Sequence, residues 1–291
     1  MAVALQLVIS GLALGSIYAL LALSLVIINK ATDVVNFAQG EMAMLGTFAG
    51  LAVLSALKLP LWLVMLAALP AGALFGALIE RVAMRPLAGT PPINALIATI
   101  GLFLVFHHLA GWIWGYDPYR FPSLFSFEPV QLFGARISQA SLGILGVSLG
   151  VMALLYLFFE YTRFGIAMRA ASINRRAARL MGVNVGRVSM TAWAIATAIS
   201  VVAGMLTAPL TFLDFEMMLI VLLKAFAGAI LGGFGSLPGA VIGCLAIGVI
   251  ENLFGAYVST AFKDAFAFGI IVVVLMARPA GLFTRRAATK V

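Results

Sequence analysis

Charge is scarce in this sequence: ten acidic and eighteen basic side chains stand among 291 residues, while 64% of the chain is hydrophobic. A soluble fold of that length has too little polar surface here to coat itself, and a mean hydropathy of +1.14 makes lipid the solvent. Cysteine occurs once, as Cys244 inside an apolar run. That excludes an intramolecular disulfide and a CxxC metal site. The only histidines, His107 and His108, are neighbours about 100° apart on a helix and do not form the i, i+4 pair of a zinc site. No GxxxxGK[ST] occurs, so the chain cannot itself cradle ATP phosphates, and Gly232-Gly233-Phe234-Gly235 lacks the strand and helix of a dinucleotide fingerprint. HExxH is absent, and no serine or cysteine has a histidine base pattern beside it. The residues therefore predict no catalytic site, no metal and no cofactor in this chain.

What is present is a series of apolar stretches of about 20 residues, and in hydrocarbon such stretches satisfy their backbone groups as helices. Strict apolar/polar alternation, which a barrel needs, is missing. The expected fold is all-α: a multi-spanning transmembrane helical bundle forming one membrane domain over 1–291. Nine segments are predicted, near 4–29, 41–57, 61–80, 93–114, 140–160, 189–207, 217–235, 238–259 and 264–278. The first has no basic n-region and outruns a signal peptide's apolar core, so it is expected to be retained. With the N-terminus outside, Lys30, Arg81, Arg85, the six arginines between Tyr161 and Val188, Arg278, Arg285, Arg286 and Lys290 all fall in the cytoplasm. Only Lys58, Arg120, Arg136 and Lys263 fall outside. Basic residues of short loops are retained inside, so this asymmetry predicts an outside N-terminus and a cytoplasmic C-terminus. It also accounts for the net charge of +8 without nucleic acid. Trp62, Trp112, Trp114, Tyr116 and Tyr119 fall at predicted outer ends, and Tyr156, Tyr161 and Trp193 at inner ones, as interfacial rings do.

Glycine pairs spaced by four occur at Gly11/Gly15, Gly46/Gly50, Gly72/Gly76, Gly146/Gly150, Gly228/Gly232 and Gly239/Gly243. Such pairs let helix backbones approach closely, and together they predict a tight bundle.

The candidate site residues are the polar ones inside apolar segments, because a charge at a helix centre costs about 2.5 to 3.5 kcal/mol on insertion scales. Lys224 lies early in its helix and Glu251 late in the next, so antiparallel packing sets both roughly 10 to 12 Å below the outer surface, where they can pair. Such a pair is either a structural ion pair or part of the lining of a path. Asn36, Gln39 and Glu41, near the first cytoplasmic turn, either cap a helix or offer polar groups where a short helix meets a cavity. Between Tyr161 and Val188 a charged loop without acids carries Ala177, Ala178, Leu180, Met181 and Val183 in helical register, an apolar stripe on which a soluble cytoplasmic partner can dock.

In this loop, Asn174-Arg175-Arg176-Ala177-Ala178-Arg179-Leu180-Met181-Gly182 resembles the coupling loop, EAAxxxG, of the permease subunits of bacterial branched-chain amino-acid ABC importers. Ala177, Ala178 and Gly182 keep the spacing; Arg176 stands where the family has glutamate, and Arg175 where it often has proline. The resemblance continues in Gly11 to Leu23, in Val35 to Glu41, in Lys224-Ala225-Phe226 and Leu231 to Ala240, and in Arg278 to Phe283, covering most of the chain in the family's order. Gln39 replaces a common histidine and Ala280 a common glutamine. The resemblance implies a multi-pass subunit of the bacterial inner (plasma) membrane that is not an enzyme. It implies a second permease chain, a different polypeptide in the family's usual arrangement, two cytoplasmic ATPases that hydrolyse the ATP, and a periplasmic solute-binding protein; the single-domain permease reading covers 1–291. It makes Arg169, Arg176, Ala177, Ala178 and Gly182 the ATPase-coupling residues and Asn36, Gln39, Glu41, Lys224 and Glu251 candidates for the substrate path. The implied cargo is a branched-chain or other small amino acid; urea, short amides or small carboxylates are the alternative within the family. A stand-alone channel or ion-coupled carrier is the alternative from another class, with Lys224 and Glu251 as coupling charges.

Overall fold

The structure, a computed structural model, describes residues 2–132 and 134–277. The Arg278 to Phe283 motif, the last four basic residues and the C-terminus lie outside the described residues. The chain forms α1 (Ala2–Thr32), α2 (Gln39–Leu57), α3 (Leu61–Ile79), α4 (Pro92–Trp114), the strands β1 (Pro129–Leu132) and β2 (Ala135–Ser138), then α5 (Gln139–Tyr161). There follow α6 (Arg163–Ile173), α7 (Arg175–Leu180), α8 (Val185–Thr211), α9 (Met217–Gly232), α10 (Leu237–Tyr257) and α11 (Lys263–Ala277). Each predicted segment falls on a helix. Among the described residues, seven helices are long and apolar enough to cross a membrane, α3 being counted with its extension to Leu87; α9 is apolar but has 16 residues, and α11 has 15. The predicted nine crossings thus depend on two helices shorter than the roughly 20 residues a bilayer asks for.

Helix ends follow local chemistry. Asn174, Asn184 and Ser236 cap α7, α8 and α10 by accepting from Ala177, Arg187 and Gly239 backbone N–H groups. Gly233, at φ 99, ends α9 in a conformation side chains avoid. Beyond Ile79, α3 runs into a π-helical turn, Glu80–Met84, and a 3-10 turn, Arg85–Leu87. The antiparallel β1–β2 hairpin in the α4–α5 connection is an addition to the all-α expectation; Ala135 and Ile137 on its inner face are buried and β2 packs on α1.

α1 runs through the centre, packed on α10, α8, α9 and α5, and is buried almost continuously from Ala13 to Ile28. Close approach depends on the glycine pairs. A Cβ on Gly15 would sit 2.8 Å from Cys244 O and Leu245 Cα of α10, one on Gly11 2.7 Å from Val249 Cα, and one on Gly228 2.7 Å from Cys244 Cα. Gly72 and Gly76 likewise meet α8 backbone, at Ala198 Cα and Trp193 O, whereas a Cβ on Gly46 or Gly50 would meet the α8 side chains of Val201 and Met205. The pair Gly146/Gly150 differs: a Cβ on either meets nothing within 4 Å. Trp193 also departs from expectation. It is fully buried in α8 and does not belong to an interfacial belt, whereas Trp62, Trp112, Tyr116, Tyr156 and Tyr161 are exposed.

Candidate functional site

Three groups of residues stand out, two in the bundle and one at its arginine-rich end. The first begins where α1 ends. Residues 33–38 are not helical, yet Asn36 and Ala38 are fully buried. Asn36 Oδ1 accepts from Ala38 N (3.1 Å), which turns the chain into α2, and Asn36 Nδ2 donates to Gln39 Oε1 (2.7 Å). Gln39 Nε2 in turn donates to Ser200 Oγ (2.8 Å) and Ala196 O (3.2 Å) of α8. Ala196 and Ser200 lie roughly 17 to 22 Å along α8 from its start. Glu41, two residues further, faces His107 Nδ1 at 3.4 Å, and His107 is itself roughly 22 Å from the start of α4. Two independent helices thus agree that 33–38 carries the chain deep into the bundle without helical hydrogen bonds, so that α2 begins in the interior. Irregular backbone at such depth persists where protein or a water-filled cavity meets its polar groups. Asn36 and Gln39 spend their hydrogen bonds on each other and on α8. Glu41 does not: its Oε2 is buried and has no hydrogen-bond partner among the described residues. His107 stacks on Phe103 and meets Phe215 edge-on, which fixes its ring beside the carboxylate. In the sequence His107 and His108 offer only neighbouring imidazoles open to a metal or proton-relay role; the contact with Glu41 spans 66 residues and leaves no local signal.

The second group lies between α1, α9, α10 and α11. Lys224 Nζ donates to Glu251 Oε1 at 2.7 Å, as the depth match predicted, and both are buried. Lys224 Nζ also stands 2.7 Å from Asp264 Oδ1, Tyr18 Oη donates to Glu251 Oε2 at 3.3 Å, and Lys263 Nζ lies 4.0 Å from Glu251. The ammonium sits 5.6 Å from the Tyr18 ring centroid. The sequence does not single out Asp264, Tyr18 and Lys263, because the first and last fall at the predicted rim of a helix and tyrosine carries no burial signal of its own. One buried cation held by two carboxylates and an aromatic face meets the condition under which a buried ion pair is tolerable.

The third group is the segment 161–188. It folds as α6 and α7, joined at Asn174, with Arg169 donating to Phe159 O and Glu160 Oε2. Arg176, Ala177 and Gly182 are exposed. Ala178, expected at the surface, is buried: it faces the chain's own interior, and its carbonyl accepts from Val183 N. The apolar surface offered outward is instead Ile173, Leu180 and Met181, which are 86%, 88% and 85% exposed.

Seven apolar helices long enough to cross a bilayer, with ionic groups held inside the bundle, make this a multi-spanning helical membrane protein. Comparison with known proteins agrees. The family described as "Branched-chain amino acid transport system / permease component" matches residues 7–275, and the chain belongs to that family of inner-membrane permease subunits, which are transport components and not enzymes. It is 33% identical to the high-affinity branched-chain amino acid transport system permease protein LivH of Salmonella typhimurium, over 99% of this chain and 97% of that one. Identity to the corresponding permease protein BraD of Pseudomonas aeruginosa is also 33%, over 99% and 98%. Among solved structures it is similar to PsaBC from Streptococcus pneumoniae in complex with Fab, with TM-score 0.48 and 12% identity, over 93% of this chain and 90% of that one.

Proposed function

We propose that the chain is the membrane-spanning subunit of an ATP-binding-cassette importer for branched-chain or other small amino acids, working by alternating access against a second permease chain. The observation that carries this reading is the family match across nearly the whole chain, taken with relatives named for branched-chain amino acid transport at either full length. In this reading the arginine-rich end faces the cytoplasm. There two ATPase subunits dock, one on α6–α7 of each permease, while a periplasmic solute-binding protein delivers cargo to the opposite end. Glu41, with an unmet acceptor deep in the bundle, is positioned to receive the ammonium of an amino acid in transit; Asn36 and Gln39 hold the re-entrant segment that presents it. Lys224 and Glu251 brace α9 against α10 beside that path.

Docking is tested with Leu180→Asp and Met181→Asp. Both side chains are exposed, so the subunit folds and inserts, while co-purification of the ATPase and ATP-driven uptake fall together. Normal co-purification with both variants removes α6–α7 as the docking element.

A further inference from the structure

A cavity of about 430 Å³ lies at the arginine-rich end, enclosed by the foot of the re-entrant segment, the π and 3-10 turns after α3, and α7 with the start of α8. Its charged lining is unusual for its place. Arg85 pairs with Glu80 (2.9 Å), which is buried, and donates to Gly186 O; Arg175 pairs with Asp33 (3.0 Å) and donates to Ala31 O (2.9 Å). Arg179, the third arginine of the lining, is exposed on α7 and makes no ion pair among the described residues, so the three arginines outnumber Glu80 and Asp33 by one charge. Two lining residues hold buried N–H groups without an acceptor among the described residues: Arg175, at its Nε, and Trp193, at Nε1 of a fully buried side chain. A buried donor left unmatched is destabilising, and an acceptor brought by a ligand removes that cost. The orphan donors and the unpaired Arg179 answer an anion; Glu80 and Asp33, each already paired with an arginine, keep further carboxylate lone pairs that an ammonium can share; Val34, Met84 and Leu87 supply an apolar side. A small aliphatic α-amino acid carries all three features.

We infer that this cavity binds the zwitterion of an aliphatic α-amino acid, its carboxylate on Arg179, at the inner mouth of the path. The inference rests on the cargo reading above and adds a place to it. Because the same cavity wall includes α7, an occupant ties the docking element to the foot of the segment that leads to Glu41, so cargo accumulated on this side holds the coupling element in one position.

The test is direct binding of labelled leucine to the assembled permease and ATPase complex in lipid nanodiscs, without the solute-binding protein. Saturable binding is expected, weakened about tenfold by Arg179→Gln and retained by Arg179→Lys, because loss of a charge-assisted hydrogen bond is worth that much. Leucinamide, which lacks the carboxylate, should compete poorly. Circular dichroism and elution volume show whether each variant is folded. Absence of saturable binding, or binding that folded Arg179→Gln leaves unchanged, overturns the inference. Uptake by the complete system separates it from the cargo reading. Leucine uptake without Arg179-dependent binding sinks the cavity alone, and Arg179-dependent binding without leucine uptake supports the cavity and sinks the cargo reading.

Discussion

Lys224 is held by the buried Glu251 and the half-exposed Asp264, so its replacement strands the Glu251 charge in the interior. Breaking one side of a buried pair costs about 3 to 5 kcal/mol. Lys224→Met should therefore lower the yield of folded subunit several-fold in a detergent size-exclusion assay, and Lys224→Met with Glu251→Gln should recover part of it. Because Asp264 remains facing the apolar replacement, recovery stays incomplete. Additive losses in the double variant would show that the pair is not coupled. Glu41→Gln makes the opposite case: it removes a buried charge with an unmet oxygen, so folded yield should hold or rise while uptake falls, which a purely structural carboxylate would not do. At this scale the sequence disclosed what hydropathy can see, an ionisable residue in an apolar run, and antiparallel register then joined Lys224 to Glu251. It did not disclose His107 beside Glu41 or Tyr18 beside Glu251, since those contacts join helices distant in sequence and follow from lateral packing order.

Among the elements, the glycine pairs divide sharply. Gly15→Leu drives a side chain into the backbone of α10 and should prevent α1 from seating, with little folded protein recovered; Gly146→Leu meets no neighbour in the subunit and should leave its stability within about 0.5 kcal/mol. Equal yields of the two variants in a thermal-unfolding assay would contradict the packing described here. α7 makes a related distinction. Ala178→Trp forces bulk under a one-and-a-half-turn helix and should expose the 161–188 segment to protease, whereas Leu180→Asp and Met181→Asp leave it protected. The helical register of the loop was readable from its apolar spacing, but which side of a six-residue helix faces inward depends on α6 and α8, which periodicity within the loop does not report. Helix positions were legible because each apolar run is long; the start of α2 in the bundle interior was not, because a short helix and a re-entrant segment have the same composition.

For the whole molecule, the arginine distribution makes a topological claim independent of any contact. A reporter inserted near Gly165 should read cytoplasmic and one near Pro122 should read outside; the reverse pattern would turn the assembly over and place α6–α7 away from any ATPase. The central claim is that this chain passes amino acids only when ATP is hydrolysed by partners. It is tested most directly by uptake of labelled leucine into vesicles holding the assembled permease and ATPase complex, with solute-binding protein outside and ATP inside. The account predicts accumulation that requires both ATP and the binding protein and that is lost with Leu180→Asp/Met181→Asp. Leucine entry that persists without ATP would contradict it and make the chain a stand-alone carrier.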